Sequence, residues 1–208
     1  LCTGVLISEE LVLTAAHCVA PGTLSTYVYF VENIKDADSY NSKYVINSKR
    51  YDDYKSDDQA TDKGDLALLR ISGPLPAGYA PASFYPDIDK IKANDDIIVA
   101  GYGLSWSWGV KSGAGQLRAT TLKVRDPKAG KTELVLNQSL KKGVCSGDSG
   151  GPAYIKKDGK LYLVAITSRS GSYDVVGAPK CSVTSTFTRV DSYVGWIKKT
   201  SVLLMSDK

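Results

Sequence analysis

Lys63-Gly64-Asp65-Leu66-Ala67-Leu68-Leu69-Arg70-Ile71-Ser72-Gly73-Pro74 is the stretch that decides the fold. Its apolar run from Leu66 to Leu69, extended to Ile71, lies between turn residues on both sides. A run of that length between turn signals reads as a buried strand. With Leu161 to Ile166 it is among the longest uninterrupted apolar runs in the chain. A bilayer-crossing helix needs roughly 20 apolar residues, so no transmembrane helix is expected.

Similar short runs recur on either side: Val5 to Ile7, Leu11 to Leu13, Tyr27 to Val31, Tyr44 to Ile46, Ile97 to Ala100, Leu117 to Val124, Glu133 to Leu136, Leu161 to Ile166 and Ser185 to Val190. Pro21-Gly22, Ser72-Gly73-Pro74 and Lys157-Asp158-Gly159 punctuate them as turns. Many short strands with little helical periodicity imply an all-β barrel or sandwich. A single helix is expected over about 191–204, capped by Asp191 or Ser192, with Val194, Trp196, Ile197 and Ser201 to Leu203 forming its docking face. A proline-rich passage from Pro74 to Pro86 divides the chain into halves, 1–82 and 83–208. There is no internal repeat.

With 208 residues, 43% hydrophobic and 23% charged, the chain has enough apolar surface to offset the entropy of ordering, which excludes disorder. Its 26 Lys+Arg and 22 Asp+Glu leave a net charge of +4, scattered along the sequence. Basic clusters interleaved with stacking aromatics are missing, which argues against nucleic acid. The densest charge stretch, Asp52 to Asp65, mixes both signs and reads as a solvated loop. The chain opens at Leu1-Cys2-Thr3-Gly4 with neither Met nor a leader, so it reads as an excised segment of something longer. Cys2, Cys18, Cys145 and Cys181 are even in number and lack the paired spacing of zinc sites. Two disulfides and an oxidising compartment are expected over free thiols in a cytosolic protein. Three pairings are open, of which the local one closes the shorter loops.

The single histidine, His17, follows an apolar strand in Leu11-Val12-Leu13-Thr14-Ala15-Ala16-His17-Cys18. Taken alone it would read as a satisfied core or capping residue. Downstream, Cys145-Ser146-Gly147-Asp148-Ser149-Gly150-Gly151-Pro152 brackets a serine with glycines. Such a segment is a tight turn, and it also lets the amides of Gly147 and Ser149 converge on a point where an oxyanion could sit. A serine hydroxyl at neutral pH needs a base, and imidazole is the side chain best matched to take its proton and return it to a leaving amine. A carboxylate must then hold the imidazole in one tautomer. Asp65, at the mouth of its strand, fits best, while Asp57, Asp58 and Asp62 in the preceding loop read as solvated.

Thr14-Ala15-Ala16-His17-Cys18, Asp65-Leu66-Ala67-Leu68-Leu69 and Gly147-Asp148-Ser149-Gly150-Gly151-Pro152 resemble, in that order, the signature blocks of the trypsin/chymotrypsin family of serine peptidases. Gly101-Tyr102-Gly103, Ile166-Thr167-Ser168 and Tyr193-Val194-Gly195-Trp196-Ile197 extend the resemblance over nearly all the chain. The resemblance implies two antiparallel six-stranded barrels with the site between them, a closing helix, and disulfides Cys2 to Cys18 and Cys145 to Cys181. It further implies peptide-bond hydrolysis through an acyl-enzyme by His17, Asp65 and Ser149, an oxyanion hole from the Gly147 and Ser149 amides, and no metal or organic cofactor.

By the same resemblance, Arg169 and Ser170 would pair with the substrate backbone. Gly143 and Val144 would stand where a counter-charge for basic residues can lie, and Ser168, Ser170 and Ser185 would line the walls, favouring an apolar or neutral residue before the scissile bond (P1). Asp174, in the segment from Gly171 to Lys180, is the one residue that could restore a negative charge, although an outward loop is the simpler reading. Asp148 would be the acid that pairs with a freed amino terminus, yet the first strand and the activating residues are expected to lie outside this chain, leaving Asp148 without its cation. A secreted, extracellular or periplasmic monomer acting on protein or peptide substrates, and open to protein inhibitors, is implied, with no nucleic-acid or membrane partner. The competing readings are a catalytically inactive binding module on the same scaffold, an unactivated or truncated form, and an adhesin-type β module with a fortuitous Gly-Ser turn. Glu32, Asp36 and Asp38 lie roughly where some relatives bind calcium, but they lack the glycine and terminal glutamate of a helical calcium loop. Asn137-Gln138-Ser139 is a formal glycosylation sequon.

Overall fold

Strands form where the apolar and β-branched runs stand. In the computed structural model, which describes residues 1–20, 26–57, 60–107, 110–139, 141–171 and 181–206 (backbone only at 106–107 and 110–111), β1 (Val5–Leu6), β2 (Leu11–Thr14), β3 (Tyr27–Tyr29), β4 (Ser42–Arg50) and β5 (Ala67–Ile71) make one antiparallel sheet. Their order is β1-β2-β5-β4-β3. The Pro21-Gly22 turn, Asp58 and Asp174 lie outside the described residues.

A second sheet is built from β6 (Ser83–Phe84), β7 (Asp96–Gly101), β10 (Arg118–Ala129), β11 (Glu133–Asn137), β12 (Pro152–Lys157), β13 (Lys160–Gly171) and β14 (Thr184–Arg189), while β8 (Ser105–Ser107) and β9 (Val110–Ser112) form a separate hairpin. Its order is β12-β7-β10-β11-β14-β13, and β12 pairs again with β13, which closes a six-stranded barrel. β6 joins β13 in parallel, the one exception to the antiparallel pattern among the described residues. The first sheet is a half-barrel of five strands among the described residues, one short of the expected six. Its edge strand β1 spans only two residues, and next to it the carbonyl of Leu6 accepts the amide of Ala82.

β12 was not foreseen because it opens on Pro152 and ends on two exposed lysines. Proline is tolerated there because the first residue of a strand can forgo a ladder donor. Alternation in β11 sends Leu134 and Leu136 into the barrel beside Phe187 and Val164, all at most 2% exposed. The same cluster runs on through Leu13 and Leu68 of the first sheet and Leu66 just before β5 to Ile197 and Leu204, so one apolar core joins both sheets and the terminal helix.

The terminal segment departs from expectation in two ways. A 3-10 turn, Asp191–Tyr193, precedes α1 (Val194–Ser206), and neither Asp191 nor Ser192 caps with its side chain. The Asp191 carboxylate instead accepts the Arg189 guanidinium, with Nη2 at 2.6 Å. The helix docks through Ile197, Thr200 and Leu204, at helical spacing, leaving Val202 and Leu203 exposed. It packs on β4 and β5, where Arg70 Nη1 donates to the Leu204 carbonyl at 3.0 Å. The strap therefore carries the end of the chain back to the first sheet.

The described residues of the loop before Asp65 are mostly exposed, as its mixed charge implies. Asp62 alone among the three acids read as solvated is shown bound to the second sheet. Its Oδ1 accepts the amides of Lys131 at 2.8 Å and Thr132 at 2.7 Å, and the Thr132 hydroxyl at 2.9 Å. Those donors sit in the β10–β11 turn, so Asp62 ties the loop before β5 to the second sheet. A Cβ on Gly130 (φ +59) would lie 2.7 Å from the Asp62 carboxylate, so the turn needs a glycine there. Burial alone would raise the Asp62 carboxyl, but these hydrogen bonds and the Lys131 charge outweigh it and hold it below its ordinary value. A carboxyl depressed in the folded state stabilises the fold above its unfolded value near 3.9, and that contribution is lost as pH falls through the lower folded value. Asp62→Asn is thus expected to cost about 1 kcal/mol at neutral pH and to flatten the acid-induced loss of stability below about pH 4. Urea denaturation across pH checks this, and identical acid sensitivity in the two proteins would refute it.

Candidate active site

The imidazole is placed by a short turn at the end of β2. Residues Ala16–Cys18 form a 3-10 turn, and the Cys2–Cys18 disulfide joins that turn to the start of the chain. The backbone amide of His17 donates to Asp65 Oδ1 at 3.0 Å, and Nδ1 stands 2.8 Å from Oδ2. A carboxylate only accepts, so Nδ1 carries the proton and Nε2 is left as the acceptor. Ser168 Oγ also donates to Oδ2, at 2.7 Å. Asp65 is 2% exposed, whereas the His17 side chain keeps 36% of its surface. Burial would raise the Asp65 carboxyl, but the hydrogen bond and charge of His17, the Ser168 hydroxyl and the His17 amide together hold it below the usual carboxylate range.

Gly64 prepares this placement. It has φ +62, and a Cβ there would run into the Tyr51 ring, so only glycine lets the chain turn into β5 with Asp65 aimed at His17.

The segment around Ser149 is held by contacts that the sequence did not announce. The Ser149 carbonyl accepts the Thr3 amide at 2.8 Å, and Thr3 Oγ1 donates to the Gly147 carbonyl at 2.8 Å. The Gly150 amide reaches the Thr167 carbonyl and the Thr167 amide returns to Gly151, both at 2.8 Å. Gly147 has φ +101, and its Cβ would stand 2.9 Å from Gly103 Cα, which explains the first glycine of the bracket. Thr3 is the functional-site residue that sequence reasoning missed. Its position beside Cys2 was the only signal.

His17, Asp65, Val144, Ser149, Ser168, Arg169 and Ser170 line one cavity of about 350 Å³. Asp65 is the sole acid among the described residues lining it, and the imidazole already occupies its carboxylate. Ser149 lines the same cavity as His17, and no hydrogen bond joins its hydroxyl to the imidazole, whose Nδ1 faces Asp65. Gly143 is exposed and lines a neighbouring cavity of about 270 Å³ together with Asp148 and Arg118. Ser185 lines neither cavity; it is wholly buried, and its Oγ has no partner among the described residues. Gly147 also falls outside both linings. A larger cavity of about 900 Å³ under the first sheet includes none of the three chemical residues.

Asp148 is 8% exposed, yet its carboxylate is not bare. Oδ1 accepts the Gly103 amide and Oδ2 the Cys145 amide, both at 2.8 Å, and side chains at Gly101 or Gly103 would collide with it. Burial raises its carboxyl, and the two amides and the nearby Arg118 charge offset that only in part. The expectation of an acid stranded without its cation is therefore met differently, because backbone amides satisfy it. The second disulfide joins Cys145 to Cys181, so the cysteines take the local pairing. Among the described residues the one group of three potential metal ligands is Cys2, His17 and Cys18, whose sulfurs are already bonded to each other. Asp38 spends its carboxylate on the amides of Tyr40 and Asn41. No helix among the described residues is long and apolar enough to cross a membrane.

The family model described as Trypsin matches residues 1–197. Chymotrypsin-like elastase family member 1 of Macaca fascicularis is 28% identical over 221 residues, covering 96% of this chain and 78% of its own length. Serine protease SP24D of Anopheles gambiae is 27% identical, covering 96% of this chain and 71% of its own. Among solved structures, neuropsin, a serine protease expressed in the limbic system of mouse brain, superposes with a TM-score of 0.75 at 22% identity, over 96% of this chain and 88% of that one.

Proposed function

Given that this chain belongs to the trypsin family, we propose that it is a secreted serine endopeptidase that cleaves peptide bonds through an acyl-enzyme. The observation that carries the reading is the pairing of His17 Nδ1 with the buried Asp65 carboxylate in the cavity that Ser149 also lines. His17 Nε2 takes the Ser149 proton as Oγ attacks the carbonyl carbon. The amides of Gly147 and Ser149 bind the resulting oxyanion. His17 then returns the proton to the leaving amine as the carbon–nitrogen bond breaks, leaving an ester on Ser149. Water, activated by the same imidazole, hydrolyses that ester. Asp65 accepts throughout and stabilises the imidazolium that forms in each half.

Arg169 and Ser170, following Ser168 on β13, offer a strand edge for the residues before the scissile bond. The cavity supports a neutral P1 residue, because Val144, Ser168 and Ser170 line it and Asp65, its one acid among the described residues, is engaged by His17. Two disulfides support an oxidising, extracellular setting.

A fluorophosphonate probe is expected to label the protein, and Ser149→Ala to abolish labelling and turnover. A folded protein that never labels would select the inactive binding module instead. A peptide library is expected to show cleavage after Leu, Tyr, Phe or small residues in preference to Lys and Arg, and a profile dominated by Arg would overturn the neutral pocket.

A further inference from the structure

We propose that Glu133 and Arg169 are positioning residues that hold Ser168 against the Asp65 carboxylate. The inference rests on the peptidase reading for its kinetic consequence. It begins with an irregularity in β13. The ladder to β14 pairs Thr167 with Phe187 and Arg169 with Thr186, so Ser168 is an extra residue with no partner opposite it. A bulge of this kind re-aims a side chain, and the ladder alone does not fix where that side chain points. Ser168 nonetheless reaches Asp65 Oδ2 at 2.7 Å.

The neighbouring residue supplies the missing restraint. Arg169 crosses β14 to Glu133 on β11, with Nη1 at 2.8 Å from Oε1 and Nη2 at 2.9 Å from Oε2. Two parallel bonds from a planar guanidinium fix rotation as well as position, which a single ion pair does not. Side-chain exposure is 4% for Glu133 and 19% for Arg169, so water competes little for either group.

The same carboxylate faces the segment carrying the acid. Glu133 Oε1 lies 3.5 Å from the Lys63 amide, two residues before Asp65. Both the strand bearing Ser168 and the loop bearing Asp65 are thereby referenced to one buried group. A buried ion pair is weak evidence for stability, because desolvation cancels much of its attraction. Its geometry here is better accounted for by registry at the site.

Arg169→Lys keeps the charge and removes the fork; Glu133→Gln keeps one acceptor and removes the charge. Each is expected to lower kcat, counted per fluorophosphonate-labelled site, about tenfold with KM changed less than about twofold. The double variant is expected to fall no further than the worse single, since both remove one device. His17 is the only histidine, so its Nδ1 proton gives one assignable imidazole resonance far downfield in the proton NMR spectrum. That resonance is expected to move or broaden in both variants while thermal denaturation shows them folded. An unchanged resonance in folded Arg169→Lys, a loss confined to KM, or additive losses in the double variant would overturn the proposal. A parent protein that never labels would overturn the peptidase reading alone, because the resonance still decides the placement of Asp65.

Discussion

Asparagine at position 65 is expected to lower kcat by about four orders of magnitude while leaving the protein folded. Oδ1 of the aspartate accepts the His17 amide at 3.0 Å, and an asparagine carbonyl can keep that bond. The other position then becomes an NH2 group facing Nδ1, 2.8 Å away in the parent. Two donors cannot face each other, so the ring must move its proton to Nε2. Nε2 is then unable to accept from Ser149, and the imidazolium also loses its counter-charge. Ser168 Oγ, which donates to Oδ2 at 2.7 Å, loses its acceptor as well. The check is kcat on a neutral peptide substrate beside a circular dichroism melt. Retention of kcat within tenfold in a folded Asp65→Asn protein would remove Asp65 from the mechanism.

Phe187→Ala should produce the largest loss of stability, about 3–5 kcal/mol. Phe187 is wholly buried on β14, where it pairs with Leu134 of β11 and Thr167 of β13. The strands around it form a closed barrel, so neighbouring side chains have little freedom to collapse into the space left behind. A drop in melting temperature of about 10 °C follows for a chain of this size. The pairing with Thr167 lies directly before the bulge at Ser168, so kcat should fall further than the change in folded fraction explains. A loss below about 1 kcal/mol would mean that this interior is loosely packed.

The parts of the site that could be read from residue order are those governed by nearest neighbours. Ser149 stood out because Gly147 and Gly150 bracket it, with φ of +101 and +82. Asp65 stood out because a polar residue heads an apolar run, and that run is β5, wholly buried but for Arg70. Asp62, three residues earlier, reads as one more solvated loop acid because its hydrogen-bond partners, Lys131 and Thr132, lie 69 and 70 residues away. Thr3 was silent for the same reason, its hydroxyl bonding Gly147 across 144 positions. The Pro74 to Pro86 passage reads as a loop with the boundary between 82 and 83, and Ser83–Phe84, just past that point, joins β13 of the second sheet.

Local order dictated most of the strands, their alternation, the glycine turns and the three chemical side chains, because those depend on backbone preferences and on burial periods that span only a few residues. Closure of the second barrel decided the Glu133–Arg169 fork, the bulge at Ser168 and the amides that satisfy Asp148, and its docking on the first sheet decided the Asp62 latch. The reason is geometric. A hydrogen bond constrains its partners to within a few tenths of an ångström, and no pattern along one stretch of chain encodes where another stretch, a hundred residues away, will come to rest.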